Sequence, residues 1–98
     1  MTYVTISTWK SENDTANDDA LWRAVQEKYV PMNKALGATQ VLVVEIGDGE
    51  SAFINVYPDK ATRDAADAKI IEVRKEGSSE FNATMTGEMR GEVRAASD

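Results

Sequence analysis

Runs of apolar residues predict four strands in the chain. Residues 2–9 are rich in β-branched and aromatic types, which favour a strand. Residues 41–46 and 52–57 are two nearly continuous apolar runs joined by the sequence GDGE, which is the pattern of a β-hairpin. Residues 88–95 alternate between charged residues and apolar or small ones, so we expect a strand with one solvated face of mixed charge.

The segment between the first strand and the hairpin predicts a helix over residues 18–36. Apolar side chains recur there at spacings of four, four, three and four, on one helical face. They are Leu21, Val25, Tyr29, Met32 and Leu36. Gly37 follows as a C-terminal stop, and either Thr15 or Asn17 is expected to cap the start. Pro31 removes a helical hydrogen bond and disfavours helical geometry at the residue before it, so we expect a kink or a break there.

A second helix is predicted over residues 60–75, with Asp59 as its cap and Gly77 just beyond its end. Small side chains on one side would let it approach the sheet closely. The residues expected on that side are Ala61, Ala65, Ala68 and either Ile71 or Val73. Arg74 and the charges around it are interpreted as a solvated face. Residues 78–86 fit either a short capped helix or a loop.

The order strand, helix, hairpin, helix, strand is that of the ferredoxin-like βαββαβ fold, in the α+β class. Its four-stranded antiparallel sheet carries both helices on one face. Both faces of the hairpin are apolar, since Leu42 and Val44 point away from Val41 and Val43. Helices cover only one face, and leaving the other in water would expose more apolar surface than monomers usually tolerate. We therefore expect a homodimer that pairs through the face of the sheet.

Composition narrows the chemistry without naming it. At 98 residues there is room for one domain, residues 1–98, and the apolar share of 42% is that of an ordinary globular protein. The chain contains no cysteine and no histidine. This excludes a thiolate nucleophile, a Ser-His-Asp or Cys-His arrangement, and histidine ligation of haem. The 11 basic and 17 acidic residues give a net charge of −6, which opposes binding to nucleic acid.

The sequence predicts no metal site, membrane span or export signal. Glu12, Asp14, Asp18 and Asp19 lack the spacing and the glycine of a calcium loop, and are interpreted as loop and helix-start acids. The longest apolar run, residues 41–44, is far too short to cross a membrane, and the first residues do not form a signal segment. We expect a cytoplasmic protein that uses no cofactor.

The candidate ligand-binding residues are aromatic and amide side chains. Four aromatic residues are suited to form a wall for a flat hydrophobic ligand, although core and interface packing uses the same types. They are Trp9, Trp22, Tyr29 and Tyr57. Asn55 is an amide within a central strand, where a polar side chain needs partners. Asn55 is expected either to orient a substrate carbonyl or phenol, or to bond a neighbouring side chain or water, or to face solvent. No catalytic residue is assigned.

The whole chain resembles the dimeric α/β-barrel superfamily, which includes antibiotic-biosynthesis-monooxygenase-like and stress-responsive barrel domains. The segments that carry this resemblance are TYVTISTWK, KALGATQVLVVEIG, AFINVYPD and GEVRA. The resemblance implies two four-stranded sheets packed face to face, with a small pocket between each sheet and its own helices. Some members are cofactor-free oxygenases that use Asn, Trp and Tyr around an aromatic substrate, and Asn55, Trp9 and Tyr57 are of those types. Other members bind haem through histidine, which this chain lacks.

Three hypotheses about function remain open at this point. The first is a small-molecule-binding dimer without assigned catalysis. The second is a cofactor-independent monooxygenase or isomerase acting on an aromatic or polyketide-like compound. The third is a purely structural homodimer. The first predicts an open cavity beside Asn55, Trp9 and Trp22, whereas the third predicts that this space is filled.

Overall fold

The computed structural model describes residues 1–12 and 18–97, and its four strands form one antiparallel sheet in the order β2-β3-β1-β4. The strands are β1 (Tyr3–Ser11), β2 (Gln40–Gly47), β3 (Glu50–Tyr57) and β4 (Ala83–Glu92). The helical segments are α1 (Asp19–Ala24), a π-helical turn (Val25–Tyr29), α2 (Val30–Ala35), α3 (Lys60–Ala65) and α4 (Asp67–Phe81). All of them lie on one face of the sheet, which confirms the predicted ferredoxin-like α+β fold.

Side chains cross the sheet in rows that alternate between its two faces. One row, here called the covered row, lies under the helices and consists of Val41, Asn55, Thr5 and Arg90. The adjacent row, here called the open row, lies on the opposite face and consists of Leu42, Ile54, Ile6 and Met89. A buried apolar cluster next to the covered row fastens the helices to the sheet. Its members are Tyr3, Ala38, Tyr57, Ala66 and Ile70.

The first helical segment is interrupted near Pro31, as predicted. The backbone N–H of Val30 donates to the carbonyl of Val25, five residues back, which defines the π-helical turn. A wider turn relieves the clash between a proline ring and the carbonyl four residues before it. The start of the helix differs from the prediction, since Asp18 accepts a hydrogen bond from the Leu21 N–H at 2.9 Å. The two predicted caps belong to residues 13–17, which lie outside the described residues.

The second helical segment differs from the prediction in its length and in its buried side. Gly77 does not end it, because α4 continues to Phe81 and ends at Asn82, whose φ of 50° is left-handed. A short break at Ala66 separates α3 from α4. The predicted alanines, Ala61, Ala65 and Ala68, are exposed because the buried positions follow a different helical phase, whereas Val73 of the predicted face is half-buried. The residues buried instead are Arg63, Ala66 and Ile70, while Ile71 is 49% exposed.

The last strand begins earlier than predicted and turns its charged side towards the helices. Residues 83–86, for which the sequence offered a short helix or a loop, belong to β4 instead. Glu88 pairs in register with Ser7 on the covered face and forms a salt bridge with Arg74 of α4. Both side chains are only about one-fifth exposed, 22% for Arg74 and 20% for Glu88. The prediction that Arg74 belongs to a solvated helix face is therefore wrong.

Candidate functional site

A cavity of about 80 Å³ lies between the sheet and the helices. The sheet contributes its floor through Ser7, Trp9, Phe53 and Asn55. Much of the wall comes from the helical segments, through Leu21, Trp22, Val25, Tyr29, Asn33, Ile70, Val73, Arg74, Gly77 and Phe81. Most of these side chains are aromatic or aliphatic and only a few are polar, which is the composition of a small-molecule site.

Two buried amides connect the floor of the cavity to the first helical segment. Asn55 Nδ2 donates to Asn33 Oδ1 at 3.2 Å, and Asn33 Nδ2 donates to the Tyr29 carbonyl at 2.8 Å. Because a carbonyl can only accept, it fixes the orientation of both amides. The remaining acceptor, Asn55 Oδ1, is buried without a hydrogen-bond partner among the described residues. A buried polar group left in this way is costly, and the hydroxyl of Tyr57, two residues further along β3, is in the same state.

Tyr29 fixes one wall of the cavity and is 2% exposed. Its ring packs at 5.1 Å from the Phe81 ring, and its hydroxyl donates to Glu80 Oε1 at 2.7 Å. Lys28 Nζ contacts the same Glu80 oxygen at 2.8 Å and Glu76 Oε1 at 3.0 Å. Burial, together with the bond to Glu80, raises the pKa of Tyr29 to about 12. These contacts, here called the Glu80 clamp, join the π-helical turn to α4.

Tyr57 lies beside Asn55 on β3 but in the buried apolar cluster, outside the cavity lining. Its side chain is fully buried, and its hydroxyl has no hydrogen-bond partner among the described residues. Burial raises the pKa of Tyr57, and the positive charge of nearby Arg63 partly opposes that shift. Arg63 is itself 1% exposed and reaches the surface through a salt bridge to Asp67 at 3.0 Å.

A surface groove between α4 and β4 adjoins the cavity. Trp9 and Arg74 line both spaces, so the groove meets the cavity at these two side chains. The indole N–H of Trp9 donates to Ser7 Oγ at 2.9 Å, which fixes the position of the ring. Trp9 also follows an irregularity in the pairing of β1 with β4, between Thr8 and Trp9.

The described residues that line the cavity include no group that ionises near neutral pH. Their titratable side chains are Arg74 and Tyr29, and the pKa of Tyr29 is raised to about 12. No group of three or more acidic, histidine or cysteine side chains suited to a metal occurs within residues 1–12 and 18–97. No helix in that part of the chain is long and apolar enough to span a membrane.

The structure brings four of the five predicted ligand-binding residues to one cavity. Trp9, Trp22, Tyr29 and Asn55 line it, and Tyr57 packs beside it. Sequence reasoning missed Asn33 and Arg74. Asn33 follows the buried Val25 and Tyr29 at a spacing of four, and this signal was obscured because Met32 completes the regular apolar stripe. The strand prediction gave no means of placing Glu88 against Arg74.

No family model and no curated protein matches the chain. Solved structures do match it along nearly its whole length. HapK from Hahella chejuensis is 17% identical, with a TM-score of 0.72 and coverage of 98% of this chain and 96% of that one. A dimeric ferredoxin-like protein from an uncultured marine organism is 16% identical, with a TM-score of 0.68 and coverage of 98% of both chains.

A third match is a protein of unknown function from Nitrosomonas europaea. It is 16% identical, with a TM-score of 0.65 and coverage of 99% of this chain and 94% of that one. Identities this low carry information about the fold and not about activity. At that level the predicted fold is confirmed: the chain has a ferredoxin-like fold.

Proposed function

We propose that this chain is a small-molecule-binding protein that acts as a homodimer. The observation that carries the proposal is the cavity, in which aromatic side chains surround a buried amide pair. A purely structural dimer would gain stability from filling that space, since each missing methylene costs about 1 kcal/mol. The open space beside Asn55, Trp9 and Trp22 therefore favours ligand binding over the purely structural alternative.

The size of the cavity limits its ligand. An apolar cavity of about 150 Å³ in another protein accepts benzene, and the cavity here is about 80 Å³. A single ring would therefore enter only partly, unless side chains at the rim move. We propose a ligand with an apolar body no larger than one ring, which is much smaller than a polyketide with several fused rings.

Dimer formation follows from the open face of the sheet. The open row runs through all four strands without a polar side chain, and Leu42 and Met89 at its two ends are 45% and 64% exposed. Val44 and Ile46 extend the patch along β2, at 41% and 55% exposed. Burying each such side chain is worth about 1.5–3 kcal/mol. A second copy of the same face provides the cover, with twofold symmetry. Two of the matching solved structures are themselves described as dimeric ferredoxin-like proteins.

A cofactor-independent monooxygenase is the second candidate, because Asn55 and Trp9 line the same cavity. Isomerase chemistry is less well supported, since proton abstraction near neutral pH needs a base that the described lining lacks. An oxygenase would instead depend on a substrate that ionises by itself, with Asn55 holding its oxygen. Turnover of such a substrate that Asn55→Ala leaves unchanged would exclude this role for Asn55.

Native mass spectrometry of freshly purified protein tests both parts of the proposal. The expected spectrum shows twice the chain mass, together with a small retained ligand that is lost on gentle activation. Light scattering at micromolar concentration checks the mass independently. A single-chain mass by both methods would exclude the homodimer. If no small molecule is retained and none of a library of single-ring compounds shifts the tryptophan fluorescence of Trp9 and Trp22, the binding function is wrong.

A further inference from the structure

The groove between α4 and β4 has a charge opposite to that of the protein as a whole. The chain carries a net charge of −6. Of the described residues that line the groove, two are charged, Arg74 and Lys75, and both are basic. Ser79 and Thr84 add hydroxyl groups along the same surface. Basic side chains without an acidic one among them create a local positive potential that attracts anions.

Glu88 does not cancel this positive charge. Its Oε2 contacts Arg74 Nη1, and its Oε1 contacts Arg90 Nε at 3.3 Å. Two guanidinium groups therefore share one carboxylate, so that these three side chains together carry a net charge of +1. Arg74 has five N–H donors in a planar fork, and its contact with Glu88 uses one nitrogen. The remaining donors allow Arg74 to keep Glu88 and to bind a second anion.

Arg74 also connects the groove to the cavity, because it lines both. An anion held by Arg74 would therefore lie beside Trp9 and next to the apolar lining of the cavity. The arrangement is amphipathic, since one end offers guanidinium, ammonium and hydroxyl donors and the other offers aromatic and aliphatic walls.

We propose that the ligand is an anionic amphipathic molecule, whose apolar body enters the cavity and whose carboxylate or phosphate binds Arg74 and Lys75 in the groove. This inference rests on the proposed binding function and adds the charge of the ligand to it. Arginine suits the role because its fork matches both carboxylate and phosphate geometry, and hydrogen bonds between ionised groups are about twice as strong as neutral ones.

Isosteric ligands test the charge independently of the apolar body. Phenylacetate and phenylacetamide have nearly the same shape, and only the first is ionised at pH 7. Their affinities are measured by tryptophan fluorescence and by NMR titration at low ionic strength, in a buffer without phosphate. Phenylacetate is expected to bind about tenfold more tightly. A hydrogen bond to a charged group contributes about 1.4 kcal/mol more than a neutral one, and this difference in free energy corresponds to a tenfold difference in affinity. Raising the salt to 0.5 M should reduce the preference. Benzylphosphonate distinguishes a phosphate from a carboxylate as the preferred anion.

Substitutions on α4 locate the anion site. Arg74→Gln is expected to abolish the preference for phenylacetate while phenylacetamide keeps its affinity within about twofold, and Lys75→Gln should reduce the preference less. Lys69→Gln is the matched control, since it removes an exposed lysine from the same helix outside the groove. Circular dichroism confirms that each variant is folded. The ligand comparison on the unaltered protein remains decisive if Arg74→Gln does not fold.

The outcomes separate the two levels of the proposal. If phenylacetate and phenylacetamide bind equally well, the anion site is wrong and the cavity remains a binding site. A preference that survives Arg74→Gln would also overturn the assignment to this groove. If neither those two compounds nor benzylphosphonate binds while a neutral single-ring compound of the library does, the anion site is wrong and the binding function stands. If no compound of the library binds and none is retained, both are wrong. A preference lost in Arg74→Gln and kept in Lys69→Gln supports the inference.

Discussion

Two adjacent rows of side chains in the same sheet have opposite characters. The covered row includes Thr5 and Asn55, which are 3% and 8% exposed although both are polar. The open row is entirely apolar, yet Leu42 and Met89 remain 45% and 64% exposed. A monomeric protein normally places its apolar residues under the helices and its polar residues towards water. This sheet does the reverse along these two rows.

The reversal indicates that the two faces have different tasks. Polar groups on the covered face reduce stability unless they are satisfied, so their presence beside a cavity favours a binding role. Apolar groups on the open face are costly in water and favourable once another apolar surface covers them. Under the proposed function, one face provides the ligand site and the other the subunit contact. Because the rows are one residue apart in each strand, substitutions test the two tasks separately.

The largest effect is expected from a charge placed in the open row. Leu42→Asp puts two carboxylates, one from each copy, into an apolar contact without partners. Burying an unpaired charge costs several kcal/mol, so dimer dissociation should increase by roughly 100-fold or more. Light scattering over a concentration series measures this change. Tryptophan fluorescence in the monomer reports whether the cavity face remains folded.

Ile71→Asp is the matched control for that substitution. Ile71 is an apolar residue of nearly the same exposure, 49% against 45% for Leu42, but it lies on α4 and not on the open face. The dimer should persist in this variant. Dissociation of both variants would mean that the contact surface includes the helices, and dissociation of neither would mean that the open row is not the interface.

The open row was accessible to sequence reasoning because the period of a strand is two residues. Val41 and Leu42 are neighbours, so one must face each way, and both are apolar. The hairpin turn fixed the register of β2 against β3, since GDGE allows few conformations and Gly49 adopts a φ of 72°. Those two local signals are sufficient to predict the two apolar faces of the hairpin, from which the homodimer is proposed.

Replacing the buried amides is expected to have the next largest effect. It should lower the free energy of unfolding and leave the dimer contact on the open face unchanged. Asn33→Leu leaves both polar ends of the Asn55 amide without partners and should lower the free energy of unfolding by about 1–3 kcal/mol. Asn55→Leu should cost less, because it removes the unpartnered Oδ1 along with the bond. Chemical denaturation at a fixed protein concentration measures both, since unfolding of a dimer depends on concentration.

The double substitution Asn33→Leu with Asn55→Leu sharpens that result. If the amides act as a pair, the double variant should be more stable than the sum of the single effects predicts. The dimer mass should stay unchanged in all three variants. Strictly additive effects would show that the 3.2 Å contact contributes little to stability.

Substitution of a glycine in α4 is expected to have a smaller effect, which raises stability while it lowers ligand affinity. Gly77→Ala should stabilise α4 by about 1 kcal/mol, because glycine is a poor helix former. The added Cβ would lie 3.4 Å from Tyr29 Cε1 and would narrow the cavity that Gly77 lines. The thermal midpoint should therefore rise while ligand affinity falls. The reverse change on the exposed side, Ala68→Gly, should lower stability without altering affinity.

The sequence did not predict which side of α4 lines the cavity, because apolar or small residues recur at helical spacing on two of its faces. Ala61, Ala65 and Ala68 form a small-residue stripe that suggests close packing, but all three are exposed. The side that is buried instead includes Arg63, a residue type that is seldom buried, so composition pointed to the wrong face. Asn33 and Arg74 were missed because their partners Asn55 and Glu88 come from distant parts of the chain.

The smallest effect on stability at neutral pH is expected from the Glu80 clamp, whose contribution to stability changes with pH. Tyr29 has a pKa of about 12 in the folded protein against 10.0 ordinarily. Its contribution to stability is therefore complete below pH 10 and is lost as the pH rises towards 12. Lys28, whose pKa is raised mainly by Glu80 and then by Glu76, acts in the same direction. Tyr29→Phe should flatten the fall in stability between pH 10 and 12, and at pH 7 it should lower stability by only about 1 kcal/mol through loss of the bond to Glu80.

Glu80→Gln extends this test to both ends of the pH range. Lys28 and then Tyr29 lower the pKa of Glu80, so its contribution is present above its ordinary pKa of 4.5 and is lost on acidification. The variant should lose less stability than the unaltered protein as the pH rises above 10, and also less as the pH falls below 4.5. Because the clamp joins the π-helical turn to α4 over the covered face, alkaline loosening should lower ligand affinity before the dimer dissociates. Loss of the dimer at a lower pH than loss of binding would show that the two faces are coupled and do not act independently.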